Sequence, residues 1–228
     1  MNRLISKIEQ HVIDKMNIDN IKYNPYFSYL ESPYASMDFP ELGDLNLFKI
    51  LAEPKANSSS VTKNELEQVV KASNNRTEKE IKHVLDVDKD PLLIYYPFLN
   101  KHNLELDRPL FATIYYSCMI AIVDHLKYFY NRARPFQIAP YYDMYINRII
   151  TSSHHTASYP SGHTMYAALA SNMLSEKYPK YKSDFERILN LCAEARVLQG
   201  VHFPSDNEAA ITVVNKIYPN MKNYITEN

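Results

Sequence analysis

Glycine is scarce in this chain of 228 residues, which contains only Gly43, Gly162 and Gly200. Glycine-based hairpin signals are absent, whereas apolar residues recur at spacings of three and four. The sequence therefore predicts an all-α fold with few strands, a single-domain helical bundle whose site lies at the ends of core helices. Two of the three glycines, Gly162 and Gly200, lie beside histidines and charged residues, so glycine marks candidate functional segments.

An excess of charge of one sign and a set of cysteines are also lacking. The 25 Lys and Arg residues are nearly balanced by 26 Asp and Glu residues, so net charge gives no argument for a nucleic-acid partner. The only cysteines, Cys118 and Cys192, lie in apolar helical patterns. This placement favours buried free thiols over a disulfide.

Long apolar runs are missing as well. The longest nearly apolar run covers residues 111–123 and is shorter than the roughly 20 residues that a membrane-spanning helix needs. Charges interrupt the first sixteen residues every few positions, which predicts an amphipathic helix rather than a secretory signal. We therefore expect a cytoplasmic protein with no membrane-spanning segment.

The chain divides by composition into two parts of one globular domain. Residues 1–60 predict an N-terminal helix and an irregular wrap, because prolines divide residues 17–61 into short pieces, and residues 61–228 predict the helical part that carries the site. A central helix is expected over 108–132, capped by Asp107 and stopped by Pro135. Further helices are expected over about 137–150, 161–177, 184–199 and 206–218. Four Ser or Thr residues followed by Glu predict helix starts, namely Thr62 with Glu65, Thr77 with Glu80, Ser183 with Glu186, and Ser205 with Glu208.

Three polar side chains continue apolar stripes of predicted helices. Lys127, His163 and Arg196 each occupy a position where the helical spacing places a core residue. The helical spacing is interpreted as leaving Lys127 and Arg196 without a neutralising acid on these faces, so an external anion is expected to do so. Arg134 follows Lys127 by about two turns and reaches the same end, whereas Arg132 points elsewhere and is expected to be solvated.

Two loop-to-helix junctions supply the remaining groups. Pro160, Ser161 and Gly162 predict a helix start whose free N–H groups favour a phosphate. In the second junction, His202 precedes Asp206 by four residues. An aspartate bonded to one ring nitrogen fixes the histidine tautomer and leaves the other nitrogen free to attack.

These strings resemble the signature of the type 2 phosphatidic acid phosphatase (PAP2) superfamily, which includes bacterial class A non-specific acid phosphatases and vanadium haloperoxidases. The signature has Lys, six residues and Arg-Pro; then Pro-Ser-Gly-His; then Ser-Arg, five residues, His, three residues and Asp. The parts here read KYFYNRARP at 127–135, PSGH at 160–163 and ARVLQGVHFPSD at 195–206. All spacings agree, and the one departure is Ala195, where the family commonly has serine.

The resemblance implies a soluble, metal-independent phosphatase that hydrolyses phosphate monoesters through a phosphohistidine. His202 would attack phosphorus, Asp206 would orient His202, and His163 would protonate the leaving alcohol and then activate water. The phosphate would be held by Lys127, Arg134, Ser161, Gly162 and Arg196. The resemblance implies no cofactor, and vanadate is expected to inhibit. The expected partner is a phosphorylated small molecule.

Alternative functions remain open at this point. A vanadate-dependent haloperoxidase would hold vanadate as its cofactor in the same cage, although such enzymes are usually much longer. A catalytically silent phosphate-binding module would not need His163, His202 and Asp206. A lipid phosphatase is disfavoured because those members bury their site among membrane-spanning helices, which are not expected here. The physiological substrate and the oligomeric state are not predicted.

Overall fold

The computed structural model describes residues 18–33 and 35–227, and within these ranges it is helical with no strand. The longer helices are α1 (Ser60–Asn74), α2 (Glu78–Lys89), α3 (Tyr96–His102), α4 (Arg108–Tyr130), α5 (Gly162–Lys177), α6 (Lys182–Leu198) and α7 (Pro204–Glu227). Single α-helical turns cover Leu47–Ile50 and Pro135–Ile138, and 3₁₀ turns cover Tyr29–Glu31, Pro40–Leu42, Pro91–Ile94, Ala139–Tyr142, Ser152–His154 and Pro179–Tyr181. The all-α prediction is confirmed.

Helix α5 lies at the centre of the packing. It contacts α4, α6 and α7, and small residues such as Ala167, Ala168 and Ala170 are completely buried along it. A helix that is apolar around most of its circumference is stable only inside a core. The start of α5 is therefore held in the interior, where the candidate site lies.

Helix α4 matches the predicted central helix closely. Asp107 caps it by accepting a hydrogen bond from the N–H of Leu110 at 3.0 Å. The helix ends at Tyr130, two residues before the predicted end, because Asn131 takes a left-handed conformation with φ of 43°. A π-helical turn, Tyr115–Met119, interrupts the α-helical pattern, and such turns are frequent at functional sites.

Helix α4 is also long and apolar enough to cross a membrane, judged by length and composition. Its most apolar window has a mean hydropathy of 1.3, and 44% of that window is buried. The sequence-based criterion of an uninterrupted apolar run missed this helix. Core helices of soluble proteins pass the same test, so the predicted cytoplasmic location stays a prediction.

Several sequence-based boundaries are wrong. No helix covers 137–150, because Pro140 and the left-handed Asp143 (φ 55°) end the short turns there. Helix α7 continues past the predicted end at 218 and through Pro219, since Tyr218 and Met221 on either side are buried and packing holds the helix together.

Of the four predicted capping pairs, Thr77 with Glu80 is confirmed as a reciprocal capping box. The other three helices start elsewhere: α1 is capped by Ser59, α6 starts at Lys182, and α7 starts at Pro204. Residues 18–59 form an irregular path with short turns, as expected. The predicted amphipathic helix at the N-terminus lies outside the described residues, and the division at residue 60 stays a prediction.

Candidate active site

His202 and Asp206 form a buried pair at the start of α7. The Nδ1–H of His202 donates to Asp206 Oδ2 at 3.1 Å, and both side chains are almost completely buried. The i, i+4 spacing and the elbow before α7 bring them together, as the sequence predicts. Because Nδ1 carries the proton, Nε2 holds the lone pair that a nucleophile needs.

Asp206 is held by three further donors. Its Oδ2 accepts from the Ser158 hydroxyl at 2.5 Å and from the Phe203 N–H at 2.9 Å, and its Oδ1 accepts from Arg132 Nη1 at 2.6 Å. Burial opposes ionisation, but the positive charge of Arg132 and these hydrogen bonds hold the pKa of Asp206 well below its usual value. Asp206 therefore remains a carboxylate throughout the range in which histidines titrate.

The other ring nitrogen of His202 faces a cation. Arg134 Nη1 lies 2.9 Å from His202 Nε2, and the same guanidinium donates to the carbonyl oxygens of Val201 and Thr156. Burial, followed by the positive charge of Arg134, lowers the pKa of His202 well below its ordinary value. His202 is therefore kept neutral, which is the form that can attack.

Lys127 and Arg134 are buried cations that form no ion pair with the described residues. In the described part of the chain, no carboxylate oxygen lies within 4 Å of either side chain, and Lys127 donates to the carbonyl oxygen of Ala157. Burial, followed by the charge of Arg134, lowers the pKa of Lys127 well below its ordinary value. A bound anion would relieve this desolvation, so the prediction that Lys127 awaits an external anion agrees with the geometry.

Arg196, unlike Lys127, has an acidic partner among the described residues. Its Nη1 lies 2.8 Å from Asp88 Oδ1, and its Nη2 donates to the Ser153 hydroxyl at 3.1 Å. The expectation that no acid neutralises Arg196 is wrong, since it considered residues on the same helix and Asp88 comes from α2. Asp88 also accepts from Gln199 at 3.1 Å, and Ser153 and Arg196 outweigh burial to hold the pKa of Asp88 at about 2.

His163 lies on the first turn of α5, beside the same acid. Its Nε2–H donates to the carbonyl oxygen of Asp88 at 3.1 Å, and the Asp88 carboxylate lies 4.0 Å away. Burial, followed by the positive charge of Arg196, lowers the pKa of His163 to about 3. Negative charge brought by a substrate would oppose both effects and favour the imidazolium.

The α5 start contributes backbone groups. Ser161 precedes the helix and Gly162 is its first residue, as predicted. The Ser161 hydroxyl bonds to Thr164 Oγ1 at 3.0 Å and its N–H donates to the Asp206 carbonyl, so Ser161 lies behind the cavity rather than on its wall. A Cβ atom at position 162 would lie 3.4 Å from Val123 Cγ1 and 3.8 Å from Lys127 Cε, which are ordinary contacts, so the start of α5 packs directly beside Lys127.

One cavity of about 630 Å³ contains most of the predicted groups. Its walls include Lys127, Arg134, Gly162, His163 and His202, whereas Ser161, Arg196 and Asp206 lie behind them. In the described residues, no group of three or more His, Cys, Asp and Glu side chains is placed to hold a metal ion.

Three tyrosines form an outer wall that the sequence did not reveal. Tyr115, Tyr116 and Tyr166 line the cavity, and the rings of Tyr115 and Tyr166 meet edge to face at 4.5 Å. The π-helical turn places Tyr115 beside Tyr116 on the cavity side of α4. Tyr116 is 68% exposed, so this wall can meet the part of a ligand that extends away from the phosphate.

Sequence reasoning missed Asp88 and misplaced Arg132. Arg132 is 4% exposed rather than solvated, and it bridges Asp206 and Glu65. The sequence did contain a sign of this position. Asn131 ends α4 one residue before Arg132, so Arg132 does not continue that helix. Nothing in the local pattern pointed to Asp88, which belongs to an ordinary amphipathic helix.

Substitution of Asp88 by Asn tests the role of the acid beside His163. We expect about tenfold lower kcat for alkyl phosphates, because losing the carboxylate charge makes His163 harder to protonate. The p-nitrophenolate group leaves readily without a proton, so kcat for p-nitrophenyl phosphate is expected to fall by less. Asp86→Asn on the same helix is the matched control, and equal losses for both substrates would contradict this role.

The segment that carries most of this site also matches a known family: the profile of the PAP2 superfamily matches residues 109–213. No curated protein sequence matches the chain. Among solved structures, the chain is similar to a transmembrane PAP2-type phosphatidylglycerolphosphate phosphatase from Bacillus subtilis, with 17% identity, a TM-score of 0.50, and coverage of 74% of this chain and 88% of that one. At this identity the similarity shows a shared fold.

Proposed function

The chain belongs to the PAP2 superfamily through residues 109–213, and from this premise we propose that it is a soluble phosphatase that forms a phosphohistidine at His202. One observation carries the proposal: Nδ1 of His202 is committed to Asp206, while Nε2 faces the cavity cations. A binding module would need the cations but not an oriented, neutral imidazole.

In the first step, Nε2 of His202 forms a bond to phosphorus as the bond from phosphorus to the ester oxygen breaks. Arg134 exchanges its contact with Nε2 for a phosphate oxygen as the substrate enters. Asp206 stabilises the positive charge that develops on the ring of His202. Each charged hydrogen bond contributes about 1.5 to 3 kcal/mol.

The equatorial oxygens of the phosphoryl group need fixed positive charge. Lys127 and Arg134 reach them from the cavity wall, and the Gly162 N–H adds the positive end of the α5 dipole. Arg196 and the Ser161 hydroxyl act from the layer behind this wall. Because Arg196 is already paired with Asp88, it contributes less net charge than Lys127.

His163 supplies the proton that leaves with the alcohol. In the second step it takes a proton from water, the water oxygen attacks phosphorus, and the bond to Nε2 breaks to release inorganic phosphate. His163 thus regains from water the proton that it gave to the alcohol, and the enzyme returns to its starting protonation state.

The alcohol part of the substrate would lie against the tyrosine wall. Tyr115, Tyr116 and Tyr166 offer ring faces and edges that pack with apolar or aromatic groups. Among the described residues, α4 is the one helix long and apolar enough to cross a membrane, and a single such helix also occurs in the cores of soluble proteins, which is compatible with a soluble enzyme.

Hydrolysis of p-nitrophenyl phosphate between about pH 4 and pH 9 tests the function. The expected profile is bell-shaped and centred below neutrality. Activity falls at the acid end as His202 becomes protonated, and its lowered pKa moves this limb to low pH. Activity falls at the alkaline end as His163 and Lys127 lose protons, because burial makes both protonated forms unstable.

The assay is run with EDTA, with and without micromolar vanadate, on the high-speed supernatant and on the membrane pellet. Vanadate-sensitive, EDTA-resistant turnover in the supernatant would support the proposal. Activity that rises steadily to pH 9 would contradict the assigned roles, and tight vanadate binding without turnover would point to the haloperoxidase alternative. Activity confined to the pellet would contradict a soluble enzyme.

A further inference from the structure

A chain of alternating charges extends from His202 to the surface of α1. Asp206 contacts Arg132 at 2.6 Å, and Arg132 Nη2 lies 3.3 Å from Glu65 Oε2. Arg132 and Asp206 are almost completely buried, and Glu65 is nearly so. A cation between two carboxylates in a low-dielectric region strongly affects the charge state of its neighbours.

Arg132 is fixed in this position by several contacts. Its guanidinium lies 4.2 Å from the centre of the Phe203 ring, and its Nη1 also donates to the Ser205 hydroxyl at 2.9 Å. Phe203 in turn donates its N–H to Asp206. The arginine therefore fixes the orientation of the carboxylate that orients His202.

Glu65 brings α1 into this arrangement. Its carboxylate accepts from the Ser205 N–H at 2.6 Å and from the Ser205 hydroxyl at 2.8 Å, at the first turn of α7. A carboxylate at a helix N-terminus is stabilised by the free N–H groups and the dipole. Glu65 lies outside the segment that matches the PAP2 superfamily.

We infer that Glu65 and Arg132 are positioning residues for the phosphatase reaction proposed above: Arg132 holds Asp206 in place and offsets its charge, and Glu65 limits how much of the arginine charge reaches His202. Both act through Asp206 and touch no substrate. Helix α1, which precedes the segment that matches the PAP2 superfamily, is then a working part of the active site.

The two residues are expected to act on His202 in opposite directions. Loss of the Arg132 cation leaves the Asp206 charge less compensated, which favours the imidazolium of His202. Loss of the Glu65 anion does the reverse. Lys127, Arg134 and Tyr159 face His202 and Asp206 from neighbouring segments, and His163 lines the same cavity as His202. These groups are unchanged in every variant.

The acid limb of kcat/KM for p-nitrophenyl phosphate measures this coupling. Arg132→Met is expected to raise the apparent pKa of the limb by about one unit or more, whereas Glu65→Gln is expected to lower it. The double variant Glu65→Gln/Arg132→Met removes both charges, and its limb is expected above that of Glu65→Gln and below that of Arg132→Met. Glu67→Gln, in an exposed pair with Lys63 on α1, is the matched control.

If Arg132→Met alone fails to fold, the double variant compared with Glu65→Gln isolates the arginine charge. Titration of the His202 ring by NMR, assigned with His202→Gln, gives the same comparison without turnover, so a failure of the phosphatase proposal is distinguishable from a failure of this inference. Opposite shifts would support it. Identical titration in all variants, or the same upward shift for Arg132→Met and Glu65→Gln, would overturn it.

Discussion

Replacement of His202 by Ala is expected to abolish the phosphoenzyme and to lower kcat for p-nitrophenyl phosphate by roughly 10⁴-fold or more. The cations of the cavity remain in this variant, so it should still bind vanadate or phosphate. What it loses is the nitrogen that forms the bond to phosphorus. Direct attack of water on the ester would then have to replace the two-step route through the phosphohistidine.

The measurement is a quench with SDS at alkaline pH after mixing with ³²P-labelled substrate, followed by a test of the acid lability expected of a phosphohistidine. His83→Ala is the matched control, because His83 lies on α2 and bonds only the Leu191 carbonyl among the contacts that the structure gives it. Wild type and His83→Ala should show equal labelling. A labelled His202→Ala protein would assign the nucleophile to another residue.

Replacement of His163 by Ala is expected to separate the two chemical steps. With p-nitrophenyl phosphate the leaving group departs without a proton, so His202 is still phosphorylated. Hydrolysis of the phosphoenzyme then slows, because no base activates water. With an alkyl phosphate the first step fails as well, and kcat is expected to fall by about 10² to 10⁴-fold.

A rapid-quench experiment checks this separation. The variant should release a burst of p-nitrophenol that matches the enzyme concentration and then turn over slowly, with the labelled phosphoenzyme accumulating. The alkyl phosphate should give no burst. Equal losses with both substrates and no phosphoenzyme would show that His163 does not act as the acid and base of the reaction.

Local spacing explains why much of the site was predictable. The four-residue interval between His202 and Asp206 corresponds to about one helical turn, so their contact follows from the helix start. Pro160, Ser161 and Gly162 likewise predict the start of α5. Lys127 was found because a cation stands where the apolar stripe of α4 requires a core residue.

Contacts between distant segments explain what was missed. Asp88 and Arg196 are 108 residues apart, and Glu65 and Arg132 are 67 apart, so neither pair leaves a periodic signal. The predicted helix over about 137–150 is wrong, because residues 143–150 follow an irregular course after the short turns at Pro135–Ile138 and Ala139–Tyr142. The tyrosine wall depends on a π-helical turn, which changes the face that each side chain occupies.

The sequence by itself determined the helical class, the two loop-to-helix junctions and the residues that resemble the PAP2 signature, because these depend on intervals within a few turns. Only the tertiary structure decided which charges are neutralised. Arg196 meets Asp88, Arg132 meets Asp206 and Glu65, and Lys127 has no carboxylate within 4 Å among the described residues. Charge pairing depends on distances across packed helices, and the chain order does not contain those distances.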